Sequence, residues 1–186
     1  YTTEYLKRVF GIEKGELFSE EKLEKKLRGS ANGDDVSSVY LNDGYLTFNI
    51  DPVQTRIYND TIDVEMRIYE GPQYTNNKIT VIGNTITNDR VVQRILYTKP
   101  GEKFSKDLLV RSVREIGQLG NFDETKTNPI PIPNPSDGTV DIEYHVEEKP
   151  SDQVELSGGF GGGRVIGTLG LTFNNFSLRN LFNGEA

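Results

Sequence analysis

Asn77-Lys-Ile-Thr-Val-Ile-Gly-Asn-Thr85 and Thr139-Val-Asp-Ile-Glu-Tyr-His-Val146 bound the stretch whose reading decides the fold. Lys78 to Ile82 alternates as a strand, and Gly83-Asn84-Thr85 reads as a turn. Asn88 or Asp89 is positioned to cap a helix whose apolar stripe is Val91, Val92, Ile95 and Leu96. Pro100-Gly101 breaks that helix. Ser105 caps a second helix, with Leu108, Leu109, Val113 and Ile116 predicted to face inward. Gly120 ends it, and residues 128–133 read Asn-Pro-Ile-Pro-Ile-Pro. Asp137-Gly138 is a turn signal before a last strand with Val140, Ile142, Tyr144 and Val146 on one face. From Asn77 to Pro150 the order is therefore strand, helix, helix, strand, strand.

The segment before it repeats this order without its first strand. Leu6, Val9 and Phe10 make a helical stripe that Gly11 and Gly15 interrupt. Ser19 caps a helix that begins Glu20-Glu21, which suits the positive end of the helix dipole, and buries Leu23 and Leu27. The loop at 29–33 separates it from a stripe of Val36, Val39 and Tyr40, which Asn42-Asp43-Gly44 terminates. Strands are predicted over 45–50 and over Thr61 to Tyr69, with Asn59-Asp60 as the turn before the second. Ile62, Val64, Met66 and Ile68 share a face of that second strand. The repeat can be overlaid residue by residue. Gly15, Phe18 and Ser19 match Gly101, Phe104 and Ser105; Gly44 and Leu46 match Gly120 and Phe122; Asp63 and Val64 match Asp141 and Ile142.

After Pro150 the character changes. Val154, Leu156 and Phe160 fall on one side of an extended segment, and Gly161-Gly162-Gly163 reads as its turn. Val165, Leu169, Leu171 and Phe173 then alternate with small or polar residues. Segments of about 10 residues with this alternation are the signature of membrane-spanning β-strands. The 186 residues carry a net charge of −7, no cysteine and one histidine, His145. That balance argues against a nucleic-acid partner, and the missing cysteine excludes disulfides and thiolate metal sites. No apolar run reaches the roughly 20 residues of a membrane helix. The opening at Tyr1 falls within a pattern, as in a chain cut from a longer one.

The Gly-Asn turn, the Gly-x-x-Phe helix connection and the paired βααββ order resemble POTRA domains over residues 1–150. Their direct continuation into Val154-Glu-Leu-Ser-Gly-Gly-Phe160 and Leu169-Gly-Leu-Thr-Phe173 is similar to the start of the barrel in BamA-type outer-membrane assembly proteins, of the Bacteroidetes type. The fold class that follows is α+β: two tandem POTRA-like βααββ domains, the first lacking its initial strand, and a truncated membrane-type β-hairpin. In the family's order, residues 1–72 would be POTRA 4, 73–150 POTRA 5, and 151–186 the first strands of an outer-membrane β-barrel.

What the resemblance implies is a periplasmic segment of an outer-membrane β-barrel assembly machine. Its partners would be unfolded outer-membrane proteins, accessory lipoproteins and, through the rest of the barrel, the outer membrane. Its place would be the periplasmic face of the outer membrane. No cofactor, metal or catalytic residue is expected, and the chain is read as a non-enzyme. The alternatives are a POTRA segment of a two-partner secretion or TamA-like pore, or a cell-division or structural adaptor.

Strand addition supplies the mechanism. An unfolded client strand needs partners for its backbone groups, and an open sheet edge offers them with little sequence preference. The client-binding edge is placed at Tyr45, Thr47, Phe48, Asn49, Ile50 and Asp51. Pro129, Pro131 and Pro133 would remove every donor from one side of the second copy's strand, leaving a blocked edge or merely one blunted against aggregation. Val154, Leu156, Gly158, Gly159 and Phe160 are read as the gate strand, and Val165, Leu169, Leu171 and Phe173 as lipid-facing. Gly158 to Arg164 lacks the Lys-Ser/Thr pair of a phosphate loop and leads into a strand. His145, with Glu143 and Glu147 beside it, has too few ligands for a metal. Asp34-Asp35, Glu20-Glu21 and Glu147-Glu148 read as solvated faces, as does the basic helix face of Lys22, Lys25, Lys26 and Arg28. A lone hairpin with one apolar face is marginal in water, so residues 153–174 are expected to pair with another chain, pack on a neighbouring copy or order poorly.

Overall fold

The computed structural model describes residues 1–30, 32–149, 152–161 and 164–173; within the last two segments side chains are described at 157–159 and 167–170. The rest of the predicted glycine turn, residues 162 and 163, lies outside the described residues.

The first module holds α1 (Thr3–Phe10), α2 (Glu20–Arg28), α3 (Val36–Asn42), β1 (Asn49–Tyr58) and β2 (Thr61–Tyr69). The predicted cap is present: Ser19 Oγ accepts the Lys22 N–H at 3.3 Å. Leu23, Leu27, Val36, Tyr40 and Ile50 are buried together, with Leu6, Val9, Phe10, Tyr45, Phe48 and Met66 packed around them. β1 and β2 form an antiparallel hairpin in which Tyr58 faces Thr61 across Asn59-Asp60, as the sequence predicts. Asn59 supplies the left-handed turn residue, with φ 50°.

The strand expected at 45–50 begins later, at Asn49, and runs through Pro52 to Tyr58. Residues 45–48 instead form a tight turn, in which the Phe48 N–H donates to the Tyr45 carbonyl. Their bulky alternation serves aromatic packing: the Phe48 ring stacks on Tyr40 at 4.1 Å, and Tyr45 meets Tyr40 edge-on at 5.5 Å. Stacked rings and a strand demand similar residues, and only the fold separates them.

The second module is complete: β3 (Thr75–Ile82), α4 (Asp89–Ile95), α5 (Lys106–Gln118), a single 3-10 turn at Glu124–Lys126, β4 (Asn128–Asn134) and β5 (Thr139–His145). Its sheet runs in the order β3-β5-β4, with β3 parallel and β4 antiparallel to the central β5. The predicted face of β5 is the core: Val140, Ile142 and Tyr144 are fully buried, joined by Val146 just beyond the strand. Val92, Leu96, Leu109 and Ile116 pack onto them from the helices. Ser112, not predicted to face inward, is also buried; its hydroxyl accepts the Tyr97 N–H at 2.9 Å and donates to the Leu108 carbonyl. Val91 is exposed, because α4 is only 7 residues long and presents Val92 to the core.

Superposing the repeat explains what the first module lacks. In the second, the Gly101–Phe104 loop exchanges backbone bonds with Tyr74 and Asn76, just ahead of and at the start of β3, and Phe104 is buried beneath them. The Asp141 carboxylate there accepts the Lys78 N–H at 3.0 Å. In the first module the matching Leu17 is 93% exposed, Phe18 is 41% exposed, and Asp63 is exposed. By the overlay these are the positions that, in the second module, meet β3 and the residues leading into it.

The C-terminal strands β6 (Asp152–Gly161) and β7 (Arg164–Phe173) pair only with each other among the described residues. No helix among the described residues is long and apolar enough to cross a membrane. The architecture is α+β: a first module of three helices and two strands without an initial strand, a complete βααββ module, and a β-hairpin.

Candidate functional site

The features that bear on function are the open edges of β1 and β4, the junction between the modules, and the segment leading into the hairpin. The edges follow from register. β4 is an edge strand whose prolines face Tyr144, Ile142 and Val140. Proline has no N–H, so the reciprocal bonds to β5 must come from Ile130 and Ile132. The open side of β4 then carries the three proline nitrogens in a row and has no donor between Pro129 and Pro133. Pro129 and Pro131 are half-buried, and Ile130 and Ile132 are 38% and 46% exposed.

β1 is also an edge. Pro52 lies opposite Met66, so its nitrogen likewise points to the open side. The edge is thus interrupted once, rather than clear up to a boundary at Pro52. A bulge follows between Gln54 and Arg56, with the Thr55 hydroxyl donating to the Asp63 carbonyl at 3.3 Å. Of the residues assigned to a client edge, Asn49, Ile50 and Asp51 lie on this strand, while Tyr45, Thr47 and Phe48 do not. Ile50 points its side chain into the core at 3% exposure, so only its backbone is on offer.

The modules meet through the end of α3 and the start of α5. Asn42 Oδ1 accepts the Asp107 N–H at 2.8 Å and the Ser105 hydroxyl at 3.4 Å. Lys103 Nζ stands 3.1 Å from Asp43 Oδ1. The Tyr74 N–H donates to the Gly44 carbonyl at 2.8 Å, and Leu46 packs against the second module's core.

Two acidic pairs depart from the solvated reading. Asp35 is fully buried and caps α3: its carboxylate accepts the Ser38 N–H and hydroxyl, both at 2.8 Å, and the Ser30 N–H at 3.3 Å. Glu148 reaches back to the turn after β3. Its Oε2 accepts the N–H and hydroxyl of Thr85 and the N–H of Ile86, and its Oε1 accepts the N–H of Thr87, at 2.6–3.0 Å. Burial pushes the carboxyl upward, but the bonds from Thr85, Thr87 and Ile86 outweigh it and bring the pKa down to about 2. The signal was a doublet of acids just past a strand whose parallel neighbour ends in a Gly-Asn-Thr turn. Glu147, by contrast, is exposed and pairs with Lys126. His145 bonds Glu143 at 3.0 Å, and no cluster of three possible metal ligands occurs among the described residues.

In the hairpin, Val154 lies opposite Leu171, Leu156 opposite Leu169, and Phe160 opposite Val165. Gly158 faces Gly167. Leu169 is 63% exposed. The side chains of Val154, Leu156, Phe160, Val165, Leu171 and Phe173 lie outside those described.

Comparison with known proteins agrees with this geometry. The family model POTRA, described as surface antigen variable number repeat, matches residues 1–71 and again 74–149. The outer membrane protein assembly factor BamA of Neorickettsia risticii is 30% identical over 148 residues, 78% of this chain and 19% of that protein. BamA of Neisseria meningitidis serogroup B is 29% identical over 100 residues, 54% of this chain and 12% of that protein. The chain therefore spans a fifth or less of these relatives. Among solved structures, POTRA3-5 of Haemophilus influenzae BamA superposes with a TM-score of 0.67 at 17% identity, covering 78% of this chain and 56% of that one. BamA of Haemophilus ducreyi lacking POTRA domains 1-3 gives 0.65 at 17% identity, over 91% of this chain and 32% of that one. Two matched repeats, the βααββ order and its BamA relatives lead to one conclusion: this chain belongs to the POTRA family.

Proposed function

We propose that this chain is a periplasmic segment of an outer-membrane β-barrel assembly factor, and that its first module receives unfolded outer-membrane proteins by strand addition. Residues 1–72 and 73–150 are then the two barrel-proximal POTRA domains, and 151–186 opens the barrel. The observation that carries the edge assignment is the contrast between β1, whose open side lacks one donor at Pro52, and β4, whose open side lacks three. A client strand pairs through backbone N–H and C=O, so each missing donor removes a bond worth about 1 kcal/mol. The receiving edge is Asn49–Tyr58, which narrows the 45–51 reading at its start and extends it along β1.

The second module then docks accessory subunits and carries the chain into the barrel. In the hairpin, a glycine opposite a glycine at Gly158 and Gly167 has no side-chain pair to hold the ladder, which suits a gate strand that opens. Val165, Leu169, Leu171 and Phe173 face lipid in this reading. The test is NMR titration with a peptide from a β-strand of an outer-membrane barrel protein. Shifts and slowed amide exchange are expected along 49–58. Perturbation confined to 128–134 overturns the assignment.

A further inference from the structure

We propose that the Glu148 carboxylate is a latch that couples the turn between β3 and α4 to the segment leaving β5, so that the two shift together. The inference does not rest on strand addition. Both carboxylate oxygens are engaged, by three consecutive backbone N–H groups and one hydroxyl of residues 85–87. On its other side the same segment is strapped to the loop after α5. The Asp123 N–H donates to the Glu147 carbonyl at 2.9 Å, and the Lys149 N–H donates to the Asn121 carbonyl at 2.8 Å. Phe122 pairs with Glu148 as an antiparallel bridge. Upstream, the Val146 N–H donates to the Ile82 carbonyl at 2.8 Å.

Residues 146–149 are therefore held between two loops, and the next described element is β6, beginning at Asp152. The turn they hold is outward-facing: Ile86 is 63% exposed at its tip. Three N–H donors converging on one carboxylate lose their shared charged acceptor if it leaves. A shift of the turn then either carries Glu148 with it or exchanges three bonds to a charged acceptor for bonds to water, which is unfavourable. By linkage the coupling is reciprocal: whatever moves the turn biases the segment toward the hairpin, and the reverse.

Amide hydrogen exchange by NMR on the 186-residue chain tests this. Glu148→Gln keeps the shape but presents an NH2 group to donors that need an acceptor. Exchange at Thr85, Ile86 and Thr87 is expected to rise about tenfold, and that at Val146 and Lys149 to rise severalfold with it. Thr85→Val, which replaces the hydroxyl by a methyl and keeps the three N–H donors, is expected to give the same pattern at about threefold, and it reads the coupling alone if the glutamine variant fails to fold. Faster exchange confined to 85–87, with Val146 and Lys149 as protected as in the parent, overturns the proposal. So does unchanged exchange at both places.

Discussion

Asn42, the last residue of α3, accepts the Asp107 N–H of α5 through Oδ1 at 2.8 Å, so one module's helix end serves as a cap for the other's helix start. First-turn N–H groups have no partner within their own helix. Ser105 satisfies Leu108 at a long 3.4 Å, and Asn42 satisfies Asp107 more closely. The junction is thus built from an obligatory bond rather than from apolar area alone.

Replacing Asn42 by Ala should destabilise the second module by about 1 kcal/mol, the usual cost of a lost cap. The same change should widen the distribution of inter-module angles. Urea unfolding reads the first effect and residual dipolar couplings the second. Asn42→Asp keeps an acceptor and should restore both in part, because its charge favours the start of α5 but opposes the end of α3 beside Asp43.

Glu148 sets an acid limit. Its folded pKa, about 2, lies below the ordinary 4.5. A depressed carboxyl contributes stability that is fully present above its unfolded value and is lost as pH falls through the folded one. The contribution should therefore be complete near neutrality and disappear from about pH 4.5 down to about 2. Because other carboxylates titrate in the same window, the measurement is the difference between the parent and Glu148→Gln. The two urea midpoints should converge as pH falls. A gap that stays constant down to pH 2 contradicts the geometry.

Gly83 should tolerate no side chain. Its φ is +100°, and a Cβ there would stand 2.1 Å from the Val146 carbonyl oxygen, which is backbone and cannot turn aside. Gly83→Ala should cost about 2 kcal/mol or more, combining left-handed strain with the overlap. Gly120→Ala, with nothing within 4 Å, carries the strain of its φ alone and should cost less. Thermal unfolding of the two variants, side by side, separates the terms.

The edge assignment predicts opposite effects from two substitutions on β1. Gln54→Pro removes a second donor from the open side and should weaken binding of a client peptide about fivefold or more. Pro52→Val restores the missing donor and should strengthen it by a similar factor. Titration calorimetry checks both. Equal affinities across the three proteins would place the client elsewhere.

Periodicity alone determined much of this protein. The faces of β2 and β5, the caps at Ser19 and Ser105, the two-residue turn at Asn59-Asp60 and the βααββ repeat were all legible, because period two, period 3.6 and turn chemistry act over a few neighbouring residues. The paired glycines of the overlay share positive φ, Gly15 with Gly101 and Gly44 with Gly120, so the repeat extends to the backbone. What the sequence could not settle were features that depend on how side chains pack and which donors the fold brings to them. Tyr45 and Phe48 alternate like a strand, but Tyr40 draws them into a stack. Asp35 and Glu148 look like surface acids until the fold brings N–H donors to them, in one case from a helix start and in the other from a turn more than sixty residues away. Charge type is written in the residue, whereas burial and partner are fixed only when separate segments meet. The tertiary structure therefore decided which acids of this chain are buried and what they bind, while the sequence had already decided the repeat in which they sit.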